Sequence, residues 1–178
     1  MCSAQHWCAT GQSLPCAAGQ IAPTAGYDFC IACPEGSFQS LKGQTACLPC
    51  LRGHYCSGLG AAAAQPCAKG TFSSVEGLKH AANCTPAPPG YVSTKGSALP
   101  AACGGPSLFC PGGEGEPRTV VDGHETFTDA TLLHAPTDLD DVTTRTSERL
   151  CAEGFFCQAG LSVYCPLGEL NQKRKLRS

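Results

Sequence analysis

Large apolar side chains are scarce in this sequence. Leu, Ile, Val and Phe together number 31 of 178 residues, and Met and Trp occur once each. At about 17% of the chain, this falls under the roughly 20% below which one apolar core becomes implausible. The nominal 42% hydrophobic content is about half alanine and cysteine, with 23 and 15 residues. No apolar run approaches the roughly 20 residues of a membrane span, and Ala61 to Ala64 is a short run of small residues, so no insertion into a membrane is expected within the chain. Charge of one sign is also lacking. A net charge of −2, spread along the sequence, gives no electrostatic case for nucleic acid or anionic lipid, and the basic cluster Lys173-Arg174-Lys175 with Arg177 reads as a solvated tail.

Catalytic signatures are missing too. There is no Gly-x-Ser-x-Gly elbow, no phosphate-cradling glycine loop and no helical periodicity of useful length. His6, His54, His80, His124 and His134 stand singly, and Asp138, Asp140 and Asp141 lack the order of a calcium loop. The sequence therefore predicts no enzyme, no cofactor and no metal site. Met1-Cys2-Ser3-Ala4 opens without the basic and apolar segments of a signal peptide, so a natural start elsewhere is expected.

Cysteine, glycine (21) and proline (14) are what the chain does have. Cysteine at this density persists in oxidising compartments, which predicts an extracellular, cell-surface or secreted location. Bridges then replace the missing core, each worth typically about 2–4 kcal/mol. Two phrases recur. One is a short clasp with an aromatic before its second cysteine: Cys2 to Cys8, Cys50 to Cys56, Cys103 to Cys110 and Cys151 to Cys157. The other is a longer phrase in which Cys-x-x-Gly leads through a strand-like segment to a second glycine and a closing cysteine: Cys16 to Cys30, Cys33 to Cys47 and Cys67 to Cys84. Its glycines, Gly19 and Gly26, Gly36 and Gly43, Gly70 and Gly77, keep a seven-residue interval. Each phrase reads as a small hairpin, with Phe38 or Phe72 covering its disulfide. Two short strands alone are barely stable, so the crosslink is required.

Cys33-Pro34-Glu35-Gly36-Ser37-Phe38, Gly43-Gln44-Thr45-Ala46-Cys47, Cys50 and Gly53-His54-Tyr55-Cys56 together resemble the cysteine-rich ephrin-receptor-like repeats, relatives of EGF-like and tumour-necrosis-factor-receptor-like modules. The resemblance covers most of residues 1–110 and resumes over 151–168. It implies a segment of a larger extracellular protein with structural, adhesive or ligand-binding roles. No kinase motif is present, so receptor-kinase activity is not carried over.

The fold expected is small, disulfide-rich and mostly β or irregular. It would be an elongated tandem array of stapled hairpins with little or no helix. The divisions expected are a partial module over 1–32, repeats over 33–66 and 67–110, and a cysteine-free insert over 111–150. A further repeat begins over 151–168, and a basic tail follows over 169–178. Within the insert, residues 119–128 read as a hairpin followed by a polar loop. If each phrase closes on itself, the pairs are Cys16–Cys30, Cys33–Cys47 and Cys67–Cys84, with Cys2–Cys8, Cys50–Cys56, Cys103–Cys110 and Cys151–Cys157. Cys165 is then left over, where another phrase would open. A crossed pattern, 8–16, 56–67 and 157–165, remains open, because connectivity is not fixed by spacing. Partners expected are neighbouring repeats of the same or a like chain and extracellular protein or glycan.

Three other readings of the polar residues compete. Cys30, Cys33, Cys47 and Cys50 have the spacing of a four-cysteine zinc site. However, the same interval from Cys16 to Cys30 has no flanking pair, and Lys42 is the only base between. Pro34 and Pro49 remove the helix that a redox Cys-x-x-Cys needs. Asn83-Cys84-Thr85 matches the acceptor pattern for N-glycosylation. The function expected is a non-enzymatic structural or adhesion module. A receptor-like ligand-binding segment and an intracellular zinc module are the alternatives.

Overall fold

A glycine with a positive backbone φ turns the chain into a two-residue strand, and a second reversal brings it back, so that strands here rarely exceed the length of a turn. The structure, a computed structural model, describes residues 4–9, 12–129 and 143–165. Among these residues every strand belongs to a two-stranded antiparallel hairpin, and helix is confined to one 3-10 turn, Ala81–Asn83. The fold is small, disulfide-rich and mostly β.

In chain order, β1 (His6–Ala9) pairs with β2 (Gln12–Pro15), β3 (Gln20–Ile21) with β4 (Ile31–Ala32), and β5 (Ser37–Phe38) with β6 (Leu48–Pro49). Next, β7 (His54–Tyr55) pairs with β8 (Gln65–Pro66), β9 (Thr71–Phe72) with β10 (Thr85–Pro86), and β11 (Tyr91–Val92) with β12 (Ala101–Ala102). Then β13 (Leu108–Phe109) pairs with β14 (Arg118–Thr119), β15 (His124–Phe127) with β16 (Ser147–Leu150), and β17 (Phe155–Gln158) with β18 (Leu161–Tyr164). The chain divides into two compact units, Met1–Pro86 with Ser93–Pro100, and Ala87–Val92 with Ala101–Ser178. Residues 67–110 contribute to both.

In the first unit the hairpins are tied together by backbone. The N–H groups of Gly19, Gly36 and Gly53 donate to the carbonyls of Gln39, Cys56 and Ser73 in the next hairpin, at 2.7, 2.9 and 2.8 Å. The loop glycines Gly43, Gly60 and Gly77 donate back to Cys16, Cys33 and Cys50 at 2.8, 2.7 and 2.8 Å. Parallel bridges such as Ile21 with Gln44 and Tyr55 with Leu78 continue the pattern. Two-residue strands cannot hold themselves; each is stabilised by hydrogen bonds to its neighbours. The second unit repeats the pattern at Gly90 to Cys110 (2.8 Å) and Gly113 to Ala87 (2.7 Å).

Three expectations are corrected. Residues 119–128 do not form a hairpin: Arg118–Thr119 pairs back to Leu108–Phe109, and His124–Phe127 pairs forward to Ser147–Leu150. The reason is that Gly123 (φ +81°) leads into a strand, as Gly36 does, and does not reverse one hairpin. The aromatic packed on the Cys67–Cys84 bridge is Tyr55 of the preceding hairpin, together with Leu78, and not Phe72. Phe38 and Phe72 are half-buried, because each two-residue strand is covered by an adjacent hairpin and not by its own. The clasp and the long phrase are also one unit. Cys50, which opens a clasp, is followed by Gly53 and Gly60 at the same seven-residue interval, and β7 and β8 form the hairpin between.

Gly53 and Gly58 both have φ +74°, yet a Cβ on Gly53 would lie 2.1 Å from the Gly96 carbonyl oxygen, while one on Gly58 meets nothing within 4 Å. Gly58→Ala should therefore lose only the roughly 1–2 kcal/mol of a left-handed L-residue. Gly53→Ala should lose about 1–3 kcal/mol more, because backbone cannot move aside as a flexible side chain can. Denaturant midpoints of the two variants in oxidising buffer check the difference; equal midpoints would mean that the contact does not contribute to stability.

Candidate functional site

Two buried positions recur in the hairpins. The first is the residue three before the leading glycine: Cys16, Cys33, Cys50 and Cys67 are fully buried and Ala87 is nearly so, and Cys103, with Pro106 where that glycine would stand, is buried likewise. The second lies three after that glycine and holds Ala22, Gln39, Cys56, Ser73, Ser93 and Thr126, all buried, and Cys110 fills the same place in a hairpin with one added residue after Cys103 and no leading glycine. Small or sulfur-bearing residues fit because the backbone of the next hairpin closes over them. Gln39 fits by satisfying itself locally, donating to the Ala46 carbonyl at 2.8 Å and accepting from the Leu41 N–H at 3.1 Å.

The opening cysteine pairs in one of two ways. Where the second position is also cysteine, the bridge is short: Cys50–Cys56, Cys103–Cys110 and Cys151–Cys157, separated by 6, 7 and 6 residues. Where it is not, the bridge runs to the hairpin's end: Cys16–Cys30, Cys33–Cys47 and Cys67–Cys84, separated by 14, 14 and 17. Cα separations of 5.7 to 5.9 Å lie in the usual range. The chain-entropy estimate gives about 3 kcal/mol for loops near 15 residues. Cys30, Cys33, Cys47 and Cys50 belong to three different bridges, so their zinc-like spacing arises from abutting hairpins and they are not a ligand set.

Cys165 is unpaired and half-buried. Its N–H donates to Gly154 at 2.9 Å, as that of Cys33 does to Gly19 at 2.9 Å, which makes it an opening cysteine. The expected Cys2–Cys8 pair, residues 166–168, the tail over 169–178, His134 and Asp138, Asp140 and Asp141 lie at least partly outside the described residues. Gly19, Gly36 and Gly70 lead into first strands, and Gly26, Gly43 and Gly77 lie in the loops. Asn83 is exposed at the end of the 3-10 turn.

One polar cluster escapes reading along the sequence. Glu125 in β15 stands opposite Arg149 in β16 and is only 8% exposed. The Arg149 Nε donates to its Oε1 at 2.7 Å, and the guanidinium lies 4.9 Å from the Phe127 ring centroid. The Glu125 carboxyl is held below its ordinary range, first by the Ser162 hydrogen bond, against burial, which raises it, and then by the hydrogen bond and charge of Arg149 and the charge of Arg145. The partners are 24 residues apart, so no local motif announces them. Nearby, an open cleft of about 210 Å³ is lined by Ser107, Thr119, Val121, Asp122, His124 and Cys157, among others. Among the described residues no three metal-ligating side chains converge.

Stapled hairpins that share two buried positions and are joined through backbone define a small cysteine-rich, disulfide-stapled repeat protein. Residues 19–67 match the sequence profile of the family described as tyrosine-protein kinase ephrin type A/B receptor-like. With its bridged hairpins, the chain carries a cysteine-rich ephrin-receptor-like repeat over these residues. That repeat is a non-catalytic module. No curated protein matches the chain, and no helix among the described residues is long and apolar enough to cross a membrane.

Because the Glu125 carboxyl is lowered in the folded state, its contribution to stability is full above the ordinary carboxyl value of 4.5 and disappears as pH falls through the lower folded value. Stability of the wild type should therefore fall with acid below that point, and Glu125→Gln should be less stable at neutral pH with a flatter acid limb. Denaturant titrations from neutral pH to the acid limb check this, and parallel curves would contradict it.

Proposed function

We propose that the chain is a non-enzymatic structural and adhesive segment of a larger extracellular cysteine-rich protein. The single observation that carries this reading is the backbone tie between hairpins, in which Gly36 and Gly53 donate forward to Cys56 and Ser73 while Gly60 and Gly77 donate back to Cys33 and Cys50. A ligand site needs a few well-placed side chains; here the repeated positions are spent on sulfur and backbone. Such a segment holds what lies before and after it under load, since bridged loops cannot lengthen. Its partners on this reading are further repeats of the same or a like chain, and extracellular protein or glycan.

A second, receptor-like reading is favoured by the β17–β18 hairpin. There Phe155 and Tyr164 are exposed on one face and meet edge to face at 5.5 Å, while Leu161 and Val163 are exposed on the other face. Exposed apolar groups gathered in one place mark contact surfaces.

Stretching single molecules between handles fused at the two ends tests the structural reading. In oxidising buffer the residues inside the loops 16–30, 33–47, 50–56, 67–84 and 103–110 should stay closed. Reductant should then release their length and lower the resisting force. An oxidised chain that extends as far and as easily as the reduced one would defeat the structural reading.

A further inference from the structure

The β9–β10 hairpin is longer than the other two hairpins closed by a long bridge. Its bridge, Cys67–Cys84, spans 17 residues where Cys16–Cys30 and Cys33–Cys47 span 14. The added length appears as the 3-10 turn Ala81–Asn83, all three residues of which are exposed. The turn makes no backbone tie to another hairpin: the Asn83 N–H donates to His80 and the Cys84 N–H to Ala81, at 3.0 Å each. The insertion thus leaves the repeated ladder intact and displays Asn83 outside it. Asn83 is followed by Cys84 and Thr85, the acceptor pattern Asn-x-Thr, and Thr85 is exposed in β10. The other asparagine, Asn171, is followed by Gln172 and Lys173, so the chain carries this one acceptor.

We infer that Asn83 is an N-glycosylation site whose glycan stands on the three-residue insertion and coexists with the Cys67–Cys84 bridge. The donor is an oligosaccharide held by a lipid diphosphate in the secretory pathway. The side-chain amide nitrogen of Asn83 bonds to the first sugar's anomeric carbon. The carbon–oxygen bond to the diphosphate breaks, the lipid diphosphate leaves as the anion, and the amide proton passes to a base of the transferase. No electrons are transferred. Cys84 is 8% exposed, with Leu78 and Tyr55 packed at its bridge, whereas Asn83 is exposed. The bridged form therefore has room for the sugar. Pro86 fixes the backbone directly after Thr85, so attachment competes with closure of the hairpin and occupancy is partial.

The chain, expressed with a cleavable leader through a eukaryotic secretory pathway, is digested with trypsin without reduction, using cell-retained and secreted material alike. The expected result is that peptide 80–95 is found joined through Cys67–Cys84 to peptide 53–69, with a fraction carrying an oligosaccharide at Asn83. After enzymatic release that position reads as aspartate. Asn83→Gln and Thr85→Ala should abolish the modification, and Pro86→Ala should raise the occupied fraction. Bridged wild-type peptide in which no fraction carries sugar overturns the inference. So does sugar found only when the bridge is absent, as judged by a Cys67→Ser, Cys84→Ser chain that keeps the acceptor pattern as Asn-Ser-Thr.

Discussion

Each bridged hairpin begins with a cysteine whose pairing decides what else the hairpin needs, and in most of them that sulfur is withdrawn from water. Ordering a residue costs roughly 1–2 kcal/mol of backbone entropy, and strands of two residues return few hydrogen bonds of their own. A bridge lowers the entropy of the unfolded chain, and the backbone ties between hairpins then supply the bonds that the strands lack. Large apolar side chains have little part in this. Leu41, Leu59 and Leu99 are more than half exposed, while the two recurring buried positions hold sulfur, alanine, serine, threonine and one glutamine.

The distribution of cysteine also limits wrong pairing. Cys50 finds Cys56 at the second buried position, and its hairpin has Ala64 at the place where Cys30 and Cys47 close theirs. Cys33 has a closing partner, and Gln39 stands at the second position. In neither hairpin does an opening cysteine meet two candidates. Where neither partner position is cysteine, as in β15–β16, other devices stand in: a strand pair of four residues and the Glu125–Arg149 contact.

Much of this was legible in the sequence, and the failures have physical causes. The seven-residue glycine interval marked the hairpins at Gly19, Gly36 and Gly70 because a loop of constant length must stack on a neighbour of constant length. The equivalent pair Gly53 and Gly60 was hidden, because Cys56 drew attention to a short clasp and away from the hairpin that contains it. The strand at 124–127 was visible as a strand but was given the wrong partner, since its true partner at 147–150 lies beyond a long connection without cysteine. The Glu125–Arg149–Phe127 cluster depends on that same pairing and was invisible for the same reason. Tyr55 on the Cys67–Cys84 bridge shows the general limit: contacts made by stacking pass between hairpins, and sequence spacing speaks mainly of contacts within one.

The central claim is that an opening cysteine pairs inside its own hairpin, not with the next. Trypsin cuts after Lys42, Arg52 and Lys69, which places Cys47 and Cys50 on one peptide and Cys56 and Cys67 on the following one. Mass spectrometry of the unreduced digest should find residues 43–52 joined to residues 53–69 through Cys50–Cys56. A loop closed within residues 53–69 by Cys56–Cys67 would contradict the account.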